Sequence, residues 1–242
     1  MGIYPEEIPG MLPRLLDGLR VTITATFVIM ALALVAGLPV ALARMSSNPL
    51  LRLPATVYVQ VLRGTPVFLQ LFYLYYVLPF VGIKLDPWTA GITGMTAAYA
   101  AYLSEIYRAG IQAIARGQTE GAMALGMSRF QVMRLVIIPQ AVRIIIPPIC
   151  NMFVSMFKDT SLLSVLTIRD LMFQGQLLAA TNFRHFTIFT LIAGLYLAVS
   201  WPSAAIIERL ERRMKRLPGT RVGQPPRRRW SWPLFATREA RT

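Results

Sequence analysis

The 242-residue sequence has very few of the groups from which soluble sites are usually built. Its one cysteine, Cys150, lies in an apolar run, which excludes an intramolecular disulfide and a cysteine-based metal cluster. Its one histidine, His185, has no second histidine with which to form a ligand pair or a catalytic dyad. The lysines are Lys84, Lys158 and Lys215, preceded by Ile83, Phe157 and Met214, so the Gly-Lys-Ser/Thr core of a phosphate-binding loop is missing and no ATP site can be built on that motif. Acidic residues number 11, and charged residues of both signs make up only 15% of the chain. What is abundant is apolar: 55% hydrophobic residues and a mean hydropathy of +0.52 describe a membrane-embedded protein, not a soluble surface.

Uncharged intervals locate the spans. Residues 21–43, 64–83 and 87–104 are each about long enough to cross a hydrocarbon core of roughly 30 Å at about 1.5 Å per residue. A fourth interval, 144–168, is interrupted by Lys158 and Asp159, and a fifth covers 186–207. The expected fold class is therefore an all-α membrane protein of five transmembrane helices. An odd number places the termini on opposite sides. The first apolar run is too long for a cleavable signal peptide and follows Glu6, Glu7 and Asp17 instead of a basic start, so it is expected to remain in the mature chain. Five helices also cannot divide into two equal inverted halves, and no internal repeat is visible; if the protein transports, a second subunit is expected to supply the symmetry.

The net charge of +14 sets the expected orientation. Nineteen of the 25 basic residues fall in three segments, 44–63, 108–143 and the tail from Glu208, which identifies that side as cytoplasmic. The amino terminus is then external and the carboxyl tail internal. Three regions follow: an external segment 1–17, a membrane domain 18–212 with a cytoplasmic loop 108–143, and a basic cytoplasmic tail 213–242. Trp230 and Trp232 beside Arg227, Arg228 and Arg229 could rest that tail on anionic lipid, although the charge asymmetry alone explains its composition.

The loop between the third and fourth spans carries the strongest local pattern. Residues 118–125 read as a short helix, Gly126 suits the left-handed residue that ends one, and Ser128 with Gln131 forms a capping box for the next, which Pro139 is expected to close. The expectation is a compact helix–corner–helix knob. On local signals alone, this could equally be a surface hairpin that joins two spans.

Glu120-Gly121-Ala122, three residues, Gly126, nine residues, then Val136-Ile137-Ile138-Pro139 resembles the EAA loop (Glu-Ala-Ala, three residues, Gly, nine residues, Ile, any residue, Leu-Pro) of permease subunits of bacterial ATP-binding-cassette importers with the MetI-like fold. Arg63-Gly64-Thr65-Pro66, Gly110-Ile111-Gln112, Pro139-Gln140-Ala141 and Lys158-Asp159-Thr160-Ser161-Leu162 resemble the polar amino acid uptake branch of that family. The likeness covers roughly residues 18–212. Gly121, Val136 and Ile138 depart from the pattern; the last two keep apolar volume, and Gly121 costs its helix about 1 kcal/mol relative to alanine. The resemblance implies that Glu120, Gly121, Ala122, Gly126 and Pro139 form a coupling helix seated in a groove of a cytoplasmic ATPase dimer. It also implies a second permease subunit, identical or homologous, an external solute-binding protein, ATP on the partner and no cofactor in this chain, and residence in the bacterial inner membrane as a multi-pass protein. No nucleic-acid partner is expected. Such a subunit is not itself an enzyme. Relatives of that branch also carry opines and ectoine-like solutes, and no residue here distinguishes these from a polar amino acid.

Span four has a feature of its own. Asn151, Ser155, Lys158 and Asp159 recur at spacings of four, three and four or one, forming a polar stripe on an apolar helix. A central lysine or aspartate costs about 2.5 to 3.5 kcal/mol on insertion scales, so the stripe should face a water-filled path, a partner subunit or an ion-pair partner. A substrate pathway and a structural ion pair at a subunit interface both remain open, as does an ion-coupled carrier or membrane enzyme that uses Lys158 and Asp159 as a proton relay. Pro147 and Pro148 can kink this helix. Thr65 and Pro66 read as a cap and first residue of span two, and the aromatics between Phe68 and Tyr76 as packing residues.

Overall fold

The computed structural model describes residues 8–215, and all regular structure among them is helical. Helix α1 is Ile8–Met45, α2 is Pro49–Gly64 and α3 is Val67–Phe72, the last continuing through a π-helical turn, Tyr73–Val77, and a 3₁₀ turn, Leu78–Val81. Helix α4 is Pro87–Gln112, α5 is Arg116–Ala124 and α6 is the single turn Arg129–Gln131. A π-helical turn, Val132–Ile137, leads into α7, Ile138–Asp159, which ends in a 3₁₀ stretch, Thr160–Leu166. Helices α8, Leu171–Asn182, and α9, His185–Lys215, complete the chain. The basic tail expected at 213–242 falls almost wholly outside the described residues.

Helix α4 is the hub. Its buried face is a run of small residues, Ala90, Gly91, Gly94, Ala98, Ala100, Ala101 and Ser104, with Met95, Tyr99 and Leu103 filling the space between its neighbours. Small side chains let helix backbones approach closely where the bilayer supplies no hydrophobic drive for association. A Cβ placed on Gly37 of α1 would lie 3.1 Å from the Ala100 carbonyl oxygen, and one on Gly94 would lie 2.7 Å from Leu71 of α3. Ala25, Ile29, Ala33, Leu71, Met95, Leu103, Met156 and Leu163 form the core where α1, α3, α4 and α7 meet. A second cluster, Met11, Leu15, Leu171, Leu178, Ile188 and Ile192, ties α1, α8 and α9 together at the opposite end.

Among the described residues, three helical stretches are long and apolar enough to cross a membrane: Ile8–Met45, Arg129–Leu166 and His185–Arg212. A bent pair, Pro49–Gly64 with Val67–Val81, angled by 105°, meets the same length and composition if taken as one span. Helix α4, at 26 residues, has the length for a fifth, but its small and polar residues make it less apolar than the others. Among the described residues, 8–17 of the segment expected to be external are helical and belong to α1, which passes through Pro13. Two local expectations are corrected. Thr65 does not cap a helix start: its hydroxyl donates back to the Val61 carbonyl at 2.9 Å and accepts from Gln70 Nε2, which closes α2 and makes the break at Thr65-Pro66. Pro139 does not end its helix. The π-helical turn ahead of it absorbs the missing backbone N–H, and the chain runs on through Pro147 and Pro148 to Asp159.

Candidate coupling loop and polar stripe

The loop folds as a knob with its own small core. Ala122 is buried against Val132 and Ile137, with Ile111, Ile114, Met127 and Val136 packed around them, which fixes α5 to the end of α4 and the start of the next helix. Helix α5 ends in a Schellman arrangement: Gly126 has φ +82°, its N–H donates to the Met123 carbonyl at 3.0 Å, and the Met127 N–H donates to the Ala122 carbonyl at 3.2 Å. The Ser128–Gln131 capping box is formed in both directions, at 2.8 and 3.3 Å. The knob thus displays its outer side. Glu120, Gly121 and Gly126 are exposed, as are Leu125 at 85% and Phe130 at 71%. Among the described residues no salt bridge engages Glu120. An acidic residue beside exposed apolar side chains on a rigid corner suits a helix-in-groove contact. Pro139 is exposed beyond the knob, and Gln140 Nε2 bonds the Val136 carbonyl at 2.8 Å and Gln118 at 3.4 Å.

The stripe on α7 lies on the outside of the single chain: Asn151, Ser155, Lys158 and Asp159 are all exposed, whereas Met156 and Phe157 between them are buried. Lys158 and Asp159 do not pair with each other among the described residues; Asp159 accepts a 2.6 Å hydrogen bond from the Tyr99 hydroxyl of α4.

A charge cluster that the sequence reading did not single out sits where α4 leaves the core. The Glu105 carboxylate pairs with Arg44 of α1 and with Arg108 one turn further along α4, and Arg63 at the end of α2 stands 3.8 Å away. Glu105 lies just past the expected span 87–104, and hydrogen bonds from Arg108 and Arg44 outweigh its partial burial to hold the carboxyl down to about 2. The Arg63 guanidinium lies over the Tyr102 ring, 5.5 Å from its centroid. Glu105 and Arg108 are an i,i+3 pair on α4, whereas Arg44 and Arg63 are distant in sequence, so only charge at span boundaries could have pointed to the whole cluster.

At the opposite end, Asp170 caps α8 by accepting from the Phe173 N–H at 2.9 Å. It is fully buried and its Oδ2 has no hydrogen-bond partner among the described residues, so burial pushes its carboxyl up to about 7.

Residues 29–216 match the family model described as "Binding-protein-dependent transport system inner membrane component". The chain belongs to this family. Among similar proteins, the probable amino-acid ABC transporter permease protein YckA of Bacillus subtilis is 36% identical over 201 residues, covering 83% of this chain and 89% of its own length. The glutamine transport system permease protein GlnP of Escherichia coli K12 is 36% identical over 206 residues, covering 84% and 94%. Among solved structures, the crystal structure of an amino acid ABC transporter with histidines superposes with a TM-score of 0.84 at 35% identity, covering 88% of this chain and all of that one. An inward-facing MetNI methionine ABC transporter gives 0.70 at 20% identity, covering 86% and 99%, which is a likeness of fold. The protein is an all-α, multi-pass component of a membrane transport system, with the fold of these permeases.

Proposed function

We propose that the chain is the permease subunit of an ATP-binding-cassette importer that brings a polar amino acid into the bacterial cell. The observation that carries this reading is the exposed α5 corner, where Glu120, Leu125 and Gly126 project from a knob fixed by its own core, together with relatives named as amino-acid and glutamine permeases. In this reading Glu120, Gly121, Ala122, Gly126 and Pro139 couple the subunit to a separate ATPase dimer that binds ATP. A second permease subunit completes the path, and an external binding protein delivers the solute. ATP closes the ATPase dimer, the knob carries that motion to the spans, and the path alternates between its two openings. The exposed stripe of Asn151, Ser155, Lys158 and Asp159 then borders the path, because four polar residues facing lipid would each be costly. The basic excess places the α5 knob and the carboxyl terminus in the cytoplasm and residues 84–88 and 169–184 outside.

Cysteine labelling and co-purification test the reading together. Single cysteines at positions 86 and 120 should be labelled from outside intact cells at 86 only. The subunit should co-purify with its ATPase, and Glu120→Lys should break that association without loss of insertion. Labelling at 120 but not 86, or association that survives both Glu120→Lys and Gly126→Val, would contradict it.

A further inference from the structure

We propose that Arg63 recognises the α-carboxylate of the transported amino acid, with Tyr102 as the platform that holds its guanidinium. The inference rests on the reading above and deepens it from a path to a binding position.

Charge is the first reason. Glu105 is the one carboxylate among three guanidiniums, and its two oxygens are already engaged, by Arg44 on one and Arg108 on the other. Arg63 is the third, at 3.8 Å from Glu105, beyond hydrogen-bond reach, with its side chain 42% exposed. The cluster therefore carries an excess of positive charge, and Arg63 is its most exposed member. A guanidinium matches a carboxylate with two parallel hydrogen bonds, and stacking on an aromatic face leaves those donors available.

Placement is the second reason. On α4, residues 99, 102 and 106 follow at helical spacings of three and four and so share a face. The rings of Tyr99 and Tyr102 are 6.1 Å apart, Tyr99 holds Asp159, and Tyr102 holds Arg63. A chain of side-chain contacts therefore runs from Arg63 at the end of α2 over Tyr102 and Tyr99 of α4 to Asp159 on α7. Glu105 and Ile106 also line a cleft of about 390 Å³ whose far wall is Ile144 and Pro148 of α7, one turn before Asn151. These contacts connect the cation at the break of the bent span with the stripe assigned to the path.

The test uses the permease–ATPase complex without binding protein, so that the permease's own preference is read. From a panel of polar amino acids, the one that the complete system takes up best is compared with its α-carboxamide in equilibrium binding to the purified complex. A charge-assisted pair favours the acid by about 10- to 150-fold, and Arg63→Gln should reduce that preference to within about threefold. Arg63→Lys, which keeps the charge but not the fork, should fall between, and Tyr102→Leu should weaken acid binding more than amide binding. Assembly with the ATPase should stay as in the unmodified complex for Arg63→Lys. An unchanged acid-to-amide preference in Arg63→Gln, or an unmodified complex that binds neither ligand at millimolar concentration, would overturn the proposal. If Arg63→Gln does not assemble, the preference of Arg63→Lys decides: a full preference there counts against a bidentate site. Failure of the underlying reading looks different, namely no ATP-driven amino acid uptake by the unmodified complete system.

Discussion

Gly126→Ala should uncouple the subunit while leaving it inserted and folded. Gly126 sits at φ +82°, in the left-handed region, and a Cβ built there meets no atom within 4 Å. The cost is therefore conformational and not steric crowding by neighbours: about 1–2 kcal/mol for a residue with a Cβ, and more for the β-branched valine. That shifts the population of the intact corner about 5- to 30-fold, enough to unseat a knob whose register depends on the two bonds of Met127 to Ala122 and Gly126 to Met123. Gly121→Ala is the matched control with the opposite sign. Gly121 is mid-helix with nothing within 4 Å, so alanine should firm α5 by about 0.5–1 kcal/mol. Gly126→Asn, which tolerates the left-handed region, should fall closest to the original. ATP-dependent uptake in vesicles, with ATPase association measured on the same preparations, distinguishes these. Equal uptake by Gly126→Ala, Gly126→Val and the unmodified protein, or a defect in Gly121→Ala as large as in Gly126→Ala, would refute the reasoning.

Asp159→Asn and Tyr99→Phe should leave assembly intact and reduce uptake, since the pair lies at the exposed stripe; loss of the dimer with unimpaired transport in whatever assembles would assign the stripe to an interface. Glu105→Gln should loosen the joint between α1, α2 and α4, because three guanidiniums lose their shared carboxylate, and a drop in thermal midpoint larger than that of Glu120→Gln would register it. For Asp170 the sign runs toward acid stability. Its folded carboxyl is raised to about 7, so its contribution is complete below the unfolded value of about 4 and is lost as pH rises through about 7. Amide protection of α8 should fall between about pH 4 and 7, and Asp170→Asn should flatten that dependence; protection that rises over this range would contradict the assignment.

The coupling loop was legible because its signals are local. A glycine that must be left-handed and a Ser–Gln box three residues apart act within one turn, so the spacing carries over directly into Gly126 and Ser128–Gln131. The stripe on α7 was legible for the same reason: helical spacing alone puts Asn151, Ser155 and Lys158 on one face. What pairs with it was not, since the Tyr99–Asp159 bond joins residues 60 apart. The Glu105 cluster is equally a product of packing, as it gathers three helices. Helix α8 lay hidden in what reads as an outer loop, although Asp170 is a capping residue placed ahead of it. The break in span two was missed because Thr65-Pro66 suits a helix start as well as a helix end, and the decision is made by Gln70 bonding back to the Leu62 and Thr65 carbonyls.

The central claim is that this subunit converts ATP hydrolysis on another polypeptide into movement of a polar amino acid. Its most direct test is uptake into proteoliposomes that contain the permease, its ATPase and its binding protein, with ATP supplied on the ATPase side. Accumulation of a radiolabelled polar amino acid that requires ATP, the binding protein and an intact Gly126 corner is the result expected. Accumulation driven by an ion gradient without ATP, abolished by Lys158→Met and indifferent to Gly126→Val, would contradict the account.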